Sequence, residues 1–503
     1  MVGRGADSVI ALALDAADGG ALQRLLAAGR LPNLARLRAR GQRVEIAPEW
    51  PGIATEPWNS FVRAEGLAAH GVFHVKLWDA AAMRPVELYR LVKPPVPFWG
   101  PLHRQERGVA VIDVPYGPPP ERSEAVAALE GWQGHDASDR KPAAWGIAVP
   151  GPARSWLGPE PYGLVADRTL FGLERRCREA TAKVAEVAVR ILRAHRPDLL
   201  LLVFGAVHRA GHYLFAPEGL ARAGLITAAT AERLTGALDG IWEVVDAAVG
   251  RILEAAGERA TVVLFALHGM GPESPWTDRL AMLLDLIGGD RAPQGAGGWL
   301  KRLRRSRTAL RLQTRLPQGL RQSLGALAWR RLYDWSRTRI FAAPSEGIGA
   351  LRLNLRGRER AGIVAPGREA RAVLEDTATA LLGLRELASD LPLVETIRPV
   401  WGVADEHPAP TLPDLVIQWR ALPWWICEGV RTADGRILRF ADIPAPPSGR
   451  TGSHRPGGFA LVAGPIEGKR LPSTLSLFEL TRWLRRWAGD ATARERTPPE
   501  PKH

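Results

Sequence analysis

Six short apolar runs recur along this chain of 503 residues, and they limit its possible folds more than any other feature. The runs lack the alternation of apolar and polar residues that marks a half-exposed strand, so we interpret them as buried parallel strands. They are SVIALAL (8–14), VAVIDV (109–114), DLLLLVF (198–204), ATVVLFAL (260–267), DLVIQW (414–419) and GFALVAG (458–464).

Segments with helical periodicity separate many of these runs. The clearest lie at 20–41, 177–195 and 232–257. Strands and helices that alternate in this way predict an α/β fold with a mostly parallel central sheet and helices on both of its faces. The length of the chain is compatible with one large α/β domain that carries insertions.

A strongly basic segment interrupts this pattern. Residues 301–331 contain many arginines, interleaved leucines and no Asp or Glu, within a chain of net charge +14. We expect a basic helical insertion or lid at 296–333, between a first part of the core at 1–295 and its remainder at 334–490, with a disordered tail at 491–503. The insertion is either a solvated helical element or a contact for an anionic lipid, a polyanion or a phosphorylated substrate.

Composition also restricts the cellular setting. No run approaches the roughly 18 apolar residues of a transmembrane helix, and the start of the chain does not resemble a signal peptide. The two cysteines, Cys177 and Cys427, fit a reducing compartment. We therefore predict a cytoplasmic protein without a transmembrane segment. Because the chain contains no nucleic-acid-binding motif, its basic pI is weak evidence for DNA or RNA binding.

Five side chains that could bind a metal follow or precede the predicted strands. Asp15 follows the first run, His208 and His212 follow the third, His268 follows the fourth, and His454 precedes the sixth. In open α/β sheets the carboxyl ends of the strands form the site, so these residues predict a metal centre at one edge of the sheet. Histidines four apart on a helix point the same way, as metal ligands require.

Each of these residues also has a structural interpretation. An HxxxH pair can be ordinary helix surface, a carboxylate after a strand can cap a helix, and His268 can be a turn histidine. Thr55 and Ser60 lie in the segment PGIATEPWNSF. Their hydroxyls could act as nucleophiles near a metal, or they could be structural.

Several stretches together resemble the alkaline phosphatase superfamily and, within it, the type I phosphodiesterase/nucleotide pyrophosphatase branch. The resemblance covers most of the chain. The stretches that carry it are 14–37 (LDAADGG…), 55–73 (TEPWNSF…HGVF), 109–120, 334–342 (DWSRTRIFA), 351–364 (LRLNLRGRERAGIV) and 452–465 (GSHRPGGFALVAGP).

The resemblance implies a site for two divalent metals, but with altered ligands. One metal would be bound by His208, His212 and His454, where His208 stands in a position that the family fills with Asp. The other would be bound by Asp15, the nucleophile Thr55 and His268, where Leu267 replaces a second Asp. The three-histidine half suits zinc, with manganese as the alternative, whereas the half without its Asp should bind metal weakly.

The sequence therefore predicts a metal-dependent hydrolase of phosphate esters, best described as phosphodiesterase- or nucleotide-pyrophosphatase-like. Thr55 is the expected nucleophile and Ser60 the fallback. The expected substrate is a phosphorylated small molecule or a lipid-like ester. The alternative is a non-catalytic protein of the same fold that binds a phosphorylated or polyanionic partner.

Overall fold

The computed structural model describes residues 8–50, 52–53, 57–118, 125–134, 141–161, 166–288, 333–400, 410–440, 448–465, 471–490 and 492–493. Thr55 and the basic segment 301–331 lie outside these residues. So does almost all of the predicted insertion and tail, and their predicted boundaries stay predictions.

The strands within the described residues are numbered in chain order. They are β1 (Val9–Leu14), β2 (Gln42–Ile46), β3 (Lys76–Asp79), β4 (Arg84–Glu87), β5 (Val109–Ile112), β6 (Ala127–Glu130), β7 (Ala143–Trp145), β8 (Leu199–Phe204), β9 (Thr261–Ala266), β10 (Gly269–Pro272), β11 (Ile340–Ala342), β12 (Gly349–Leu353), β13 (Arg385–Glu386), β14 (Val394–Pro399), β15 (Leu415–Trp419), β16 (Gly429–Arg431), β17 (Ile437–Arg439), β18 (Gly452–Arg455), β19 (Gly458–Ala463) and β20 (Thr474–Leu475).

The α-helices follow the same convention. They are α1 (Gly19–Ala27), α2 (Pro32–Arg40), α3 (Pro57–Arg63), α4 (Leu67–His70), α5 (Gly100–Arg104), α6 (Asp167–His195), α7 (Ala206–Leu214), α8 (Pro217–Arg222), α9 (Ala228–Leu234), α10 (Ala237–Ala256), α11 (Leu280–Gly288), α12 (Arg368–Leu382) and α13 (Leu477–Trp487). None of the helices in the described ranges is long and apolar enough to cross a membrane.

A nine-stranded sheet forms the centre of the molecule, in the order β20-β2-β19-β9-β1-β8-β5-β6-β7. The five strands from β9 to β6 in this order are parallel to one another. Because β1 is buried along its whole length, its apolar run has no polar alternation. The α/β fold with a mostly parallel sheet is confirmed.

Helices cover both faces of this sheet. Alternate residues of β1 and β8 point to opposite sides, so Ile10 and Leu200 join one apolar cluster while Ala11 and Leu201 join another. The first cluster contains side chains from α1, α2, α6 and α10, and the second contains side chains from α3, α5 and α13. The predicted cover of helices on both faces of the sheet is therefore present.

Two of the six apolar runs are not parallel strands, which corrects the prediction. The run 458–464 forms β19, which pairs antiparallel with both β9 and β2. The run 414–419 forms β15, which belongs to a separate antiparallel sheet in the order β11-β12-β15-β14. An apolar run reports burial on both faces, and burial alone does not determine the direction of a strand.

The second sheet has its own apolar core and a buried ion network. Side chains from α11 and α12 pack against it. Fully buried Arg352 on β12 contacts Glu359 at 2.7 Å, and Arg358 contacts Asp414 at 2.6 Å. These two ion pairs give the buried Arg352, Glu359 and Asp414 side chains partners of opposite charge. The network fixes the second sheet, whose β11–β12 turn reaches the site described below.

Candidate metal centre

Helix α7 carries two histidines on one of its faces. It begins at Ala206, directly after β8, so His208 and His212 lie one helical turn apart at the carboxyl edge of the sheet. Both side chains are buried, and their Nε2 atoms are 2.8 Å apart. The structure thus places the HxxxH pair on a helix, as predicted.

The start of α7 is held by a side chain from a neighbouring strand end. Gln133, which follows β6, donates from Nε2 to the Val203 carbonyl at 2.6 Å and accepts the Gly205 amide at 2.9 Å. Asp113, which follows β5, accepts the backbone amides of Trp132 and Gln133. These bonds fix the chain at the point where it leaves β8 for the histidine helix.

Asp15 contacts His208 at Nδ1, the ring nitrogen that does not face His212. Its carboxylate is fully buried, with Oδ2 2.7 Å from Nδ1 of His208 and Oδ1 accepting the indole N–H of Trp58 at 2.7 Å. A carboxylate can only accept here, so neutral His208 carries its proton on Nδ1 and presents a lone pair on Nε2. A carboxylate behind a histidine is a recurrent arrangement around metal ligands.

His212 is oriented in the same way by a backbone carbonyl. Its Nδ1 lies 2.8 Å from the carbonyl oxygen of Gly452, the first residue of β18. A Cβ at Gly452 would stand 2.1 Å from the carbonyl oxygen of Gly211, so only glycine allows β18 to approach α7 this closely. The lone pair of His212 Nε2 is thereby directed at His208.

The third histidine, His454, comes from β18. This strand pairs antiparallel with β10, with Met270 opposite His454, and leads into β19. Because β19 runs against its neighbours, its first residues lie at the carboxyl edge of the parallel strands. His454 Nε2 consequently lies 2.9 Å from His208 Nε2. His208, His212 and His454, the three-histidine cluster, have ligand atoms within 4.8 Å of one another.

The donor set of this cluster fits a divalent metal. Two Nε2 lone pairs that face each other at 2.8 Å repel unless a cation lies between them. Burial lowers the pKa of His212 well below its usual value, and the nearby charge of Arg450 lowers it further. Burial lowers the pKa of His454 in the same way, followed by the effects of His268, His208 and His212. Near neutral pH a proton therefore binds poorly, whereas three neutral imidazoles suit zinc.

The other half of the predicted site has a different composition. The ring centroid of His268 lies 4.5 Å from that of His454, so His268 borders the cluster, although it follows β9 rather than α7. Its neighbour Leu267 is 3% exposed and packs in one of the two central apolar clusters. Asp15 is the buried carboxylate on this side.

Ser60 lies in a separate buried network. Its Oγ donates to Glu49 Oε2 at 2.8 Å and lies 2.8 Å from Nε2 of His70. His70 Nδ1 accepts the backbone N–H of Val72 at 3.0 Å, so a neutral ring carries its proton on Nε2 and donates it to Ser60. Burial and the charge of Arg63 lower the pKa of His70 to about 4, which keeps the ring neutral.

Three residues beside the cluster were not anticipated from the sequence. Arg450 forms ion pairs with Glu346 and, at 2.6 Å, with Glu160. Glu346 Oε1 in turn lies 3.7 Å from Nε2 of His212. Arg450 lies four residues before His454 in the segment SGRTGSH, and this proximity was the available signal. No pattern in the sequence marks Glu346 or Glu160.

Comparison with known proteins agrees with this architecture. A model of the family described as type I phosphodiesterase/nucleotide pyrophosphatase matches residues 9–436, so His454 lies beyond the matched range. Phosphonoacetate hydrolase from Sinorhizobium meliloti 1021, solved with phosphonoformate, is 16% identical, with 96% of each chain covered and a TM-score of 0.51.

Murine ectonucleotide pyrophosphatase/phosphodiesterase 5 is 11% identical, over 96% of this chain and 95% of that chain, with a TM-score of 0.47. No curated protein sequence matches the chain significantly. The match over most of the chain carries the assignment: the chain belongs to the type I phosphodiesterase/nucleotide pyrophosphatase family, a family of phosphodiesterase- and phosphatase-type hydrolases.

Proposed function

We propose that this protein is a phosphodiesterase- or nucleotide-pyrophosphatase-like hydrolase whose principal metal is bound by His208, His212 and His454. The observation that carries the proposal is the convergence of the three Nε2 atoms at the carboxyl edge of the sheet. Zinc is the proposed ion, with manganese as the alternative. Asp15 holds the His208 ring, and His268 with Asp15 orients the nucleophile or binds a second, weaker ion.

Thr55 is the proposed nucleophile. Its segment leads into α3, and Trp58 at the start of that helix donates to Asp15, which supports the assignment of the nucleophile to this segment. The Thr55 oxygen forms a bond to phosphorus as the bond to the leaving alcohol breaks, and the proton of the Thr55 hydroxyl ends on that alcohol. Water then attacks phosphorus, takes the phosphoryl group as a free phosphate ester, and returns a proton to the Thr55 oxygen. A bound divalent ion supplies positive charge to the phosphoryl oxygens.

The contacts of Ser60 support a structural role for this fallback nucleophile. Ser60 is 1% exposed, and both hydrogen bonds of its hydroxyl lie within its own network, one donated to Glu49 and one accepted from His70. We therefore propose Thr55 rather than Ser60 for the chemistry.

The test is hydrolysis of bis(4-nitrophenyl) phosphate by protein reconstituted with zinc or manganese. We expect turnover that is lost in Thr55→Ala and retained in Ser60→Ala. Absence of turnover with every divalent ion, in protein that binds no stoichiometric metal, would refute the hydrolase. Phosphonate and sulfate esters, which the superfamily also handles, belong in the same panel of substrates.

One observation favours a second candidate function. Leu267, at a position where the family resemblance implies a metal-binding Asp, is packed into the hydrophobic core. A chain altered in this way could bind a phosphorylated or polyanionic partner without turnover, with the basic segment 301–331 as the contact. Binding of a phosphorylated ligand without hydrolysis, in metal-loaded protein, would favour this candidate.

A further inference from the structure

The turn between β11 and β12 lies directly against the strand that carries His454. Gly347 in this turn has φ +68°, and a Cβ there would come 2.6 Å from Ser453 Oγ and 3.6 Å from the His454 amide nitrogen. The turn is closed by Ser345, whose hydroxyl donates to the Ile348 carbonyl at 2.8 Å. A glycine at 347 thus lets the second sheet place the neighbouring residue, Glu346, beside the histidines.

The Glu346 carboxylate is within reach of an ion bound by the cluster. Its Oε1 is 3.7 Å from His212 Nε2. Zinc binds nitrogen and oxygen ligands at about 2.0–2.2 Å, so two ligand atoms can share one ion when they are up to about 4.2 Å apart. The distance therefore allows His212 and Glu346 to bind the same ion. Because the Glu346 oxygens lie outside the 4.8 Å group formed by the three histidines, its side chain must turn towards His208 and His454 to complete the site.

The charges around the cluster also favour this carboxylate as a ligand. Imidazole ligands bring no negative charge to a metal, and the Arg450 guanidinium beside them lowers the affinity of the site for any cation. Glu346 is ion-paired with Arg450, and its side chain is 26% exposed. A carboxylate oxygen has two lone pairs and can accept from Arg450 while it faces a metal. Glu160, at 2.6 Å, keeps Arg450 bound on its other side.

We infer that Glu346 is a fourth protein ligand of the metal, which makes the site a three-histidine, one-carboxylate centre built from both sheets. This inference rests on the proposed metal site and extends it. Zinc expands to five ligands in some catalytic centres, so four protein ligands still leave room for a phosphate oxygen. The carboxylate offsets the charge of Arg450 and raises the affinity for a divalent ion.

The test compares Glu346→Gln with a matched control, Glu160→Gln, in the full chain. Both variants remove one carboxylate from Arg450. Glu346 has an oxygen 3.7 Å from His212 Nε2, whereas Glu160 contacts Arg450 and accepts the Tyr213 hydroxyl. The measurements are the zinc dissociation constant, by competition with a chromophoric chelator, and the visible absorption spectrum of the cobalt(II)-loaded protein. Far-UV circular dichroism and thermal melting without metal establish that each variant is folded.

We expect Glu346→Gln to weaken zinc binding by about 30-fold or more and to change the cobalt spectrum. The spectrum separates the two roles, because removal of an outer partner alone also costs about 10–100-fold in affinity but leaves the ligand set intact. Glu160→Gln should stay within about threefold of the wild type. An unchanged cobalt spectrum and affinity in Glu346→Gln would overturn the inference and leave the three-histidine site standing. A wild-type protein that binds no metal would overturn both.

Discussion

The described part of the chain contains two buried histidine networks whose hydrogen bonds differ in direction. In the three-histidine cluster, Nδ1 of His212 donates to the Gly452 carbonyl and Nδ1 of His208 lies 2.7 Å from the Asp15 carboxylate, so the Nε2 atoms converge. In the network of Glu49, Ser60 and His70, the His70 Nδ1 atom is the acceptor, so Nε2 carries the proton. The group that contacts Nδ1 of a buried histidine therefore determines whether its Nε2 atom can bind a metal or acts as a hydrogen-bond donor.

The largest expected effect on zinc affinity comes from the loss of a ligand in the three-histidine cluster. His212→Ala removes a ligand and should weaken zinc binding by more than about 100-fold, beyond the cost of losing an outer partner. The corresponding change in the other network, His70→Ala, should leave zinc binding within threefold. Zinc dissociation constants of both variants test the contrast. Equal losses in the two variants would remove the distinction between the networks.

Removal of the acceptor behind a ligand should have the next largest effect. Asp15→Asn lets the amide nitrogen turn towards His208 Nδ1 and favour the wrong tautomer, so we expect zinc binding to weaken about 10–100-fold. Asp246→Asn is the matched control, because Asp246 is also a buried carboxylate but accepts the backbone N–H groups of Asn33 and Leu34, outside the network that holds α7. Similar zinc affinities in the two variants would contradict the orienting role of Asp15.

Ser60→Ala tests the structural network and should act on stability alone. It leaves the His70 Nε2–H group and a Glu49 oxygen without their partner, at a cost of about 1–3 kcal/mol in the free energy of unfolding. Urea denaturation measures this cost. Zinc affinity and phosphodiester turnover should match the wild type, and lost turnover in a folded variant would return Ser60 to the list of nucleophiles.

The smallest expected effect is a pH dependence of stability. The pKa of His70 is about 4 in the folded protein and close to 6.5 in the unfolded chain, so the unfolded chain binds the extra proton between these values. Its contribution to stability is complete above pH 6.5 and decreases as the pH falls towards 4, by about 1 kcal/mol per pH unit. Zinc-loaded His70→Gln should show a correspondingly shallower loss in acid, measured by urea denaturation at pH 7 and pH 5.

The sequence predicted those parts of the site that depend on local geometry. The placement of His208 and His212 on one face follows from their spacing and from the strand that precedes them. The approach of Glu346 does not, because it depends on how a second sheet packs against the first. The direction of β19 was missed for a similar reason: its apolar residues report burial, whereas its direction depends on the β10–β18 pairing.

The position of β19 has a consequence for how the protein is made. This strand lies inside the central sheet, between β2 and β9, yet residues 267–457 separate it from β9 along the chain. During synthesis β9 therefore has an unpaired edge until residues 458–463 leave the ribosome. His454 emerges only just before them, so the nascent chain cannot complete the three-histidine cluster until long after α7 has been made.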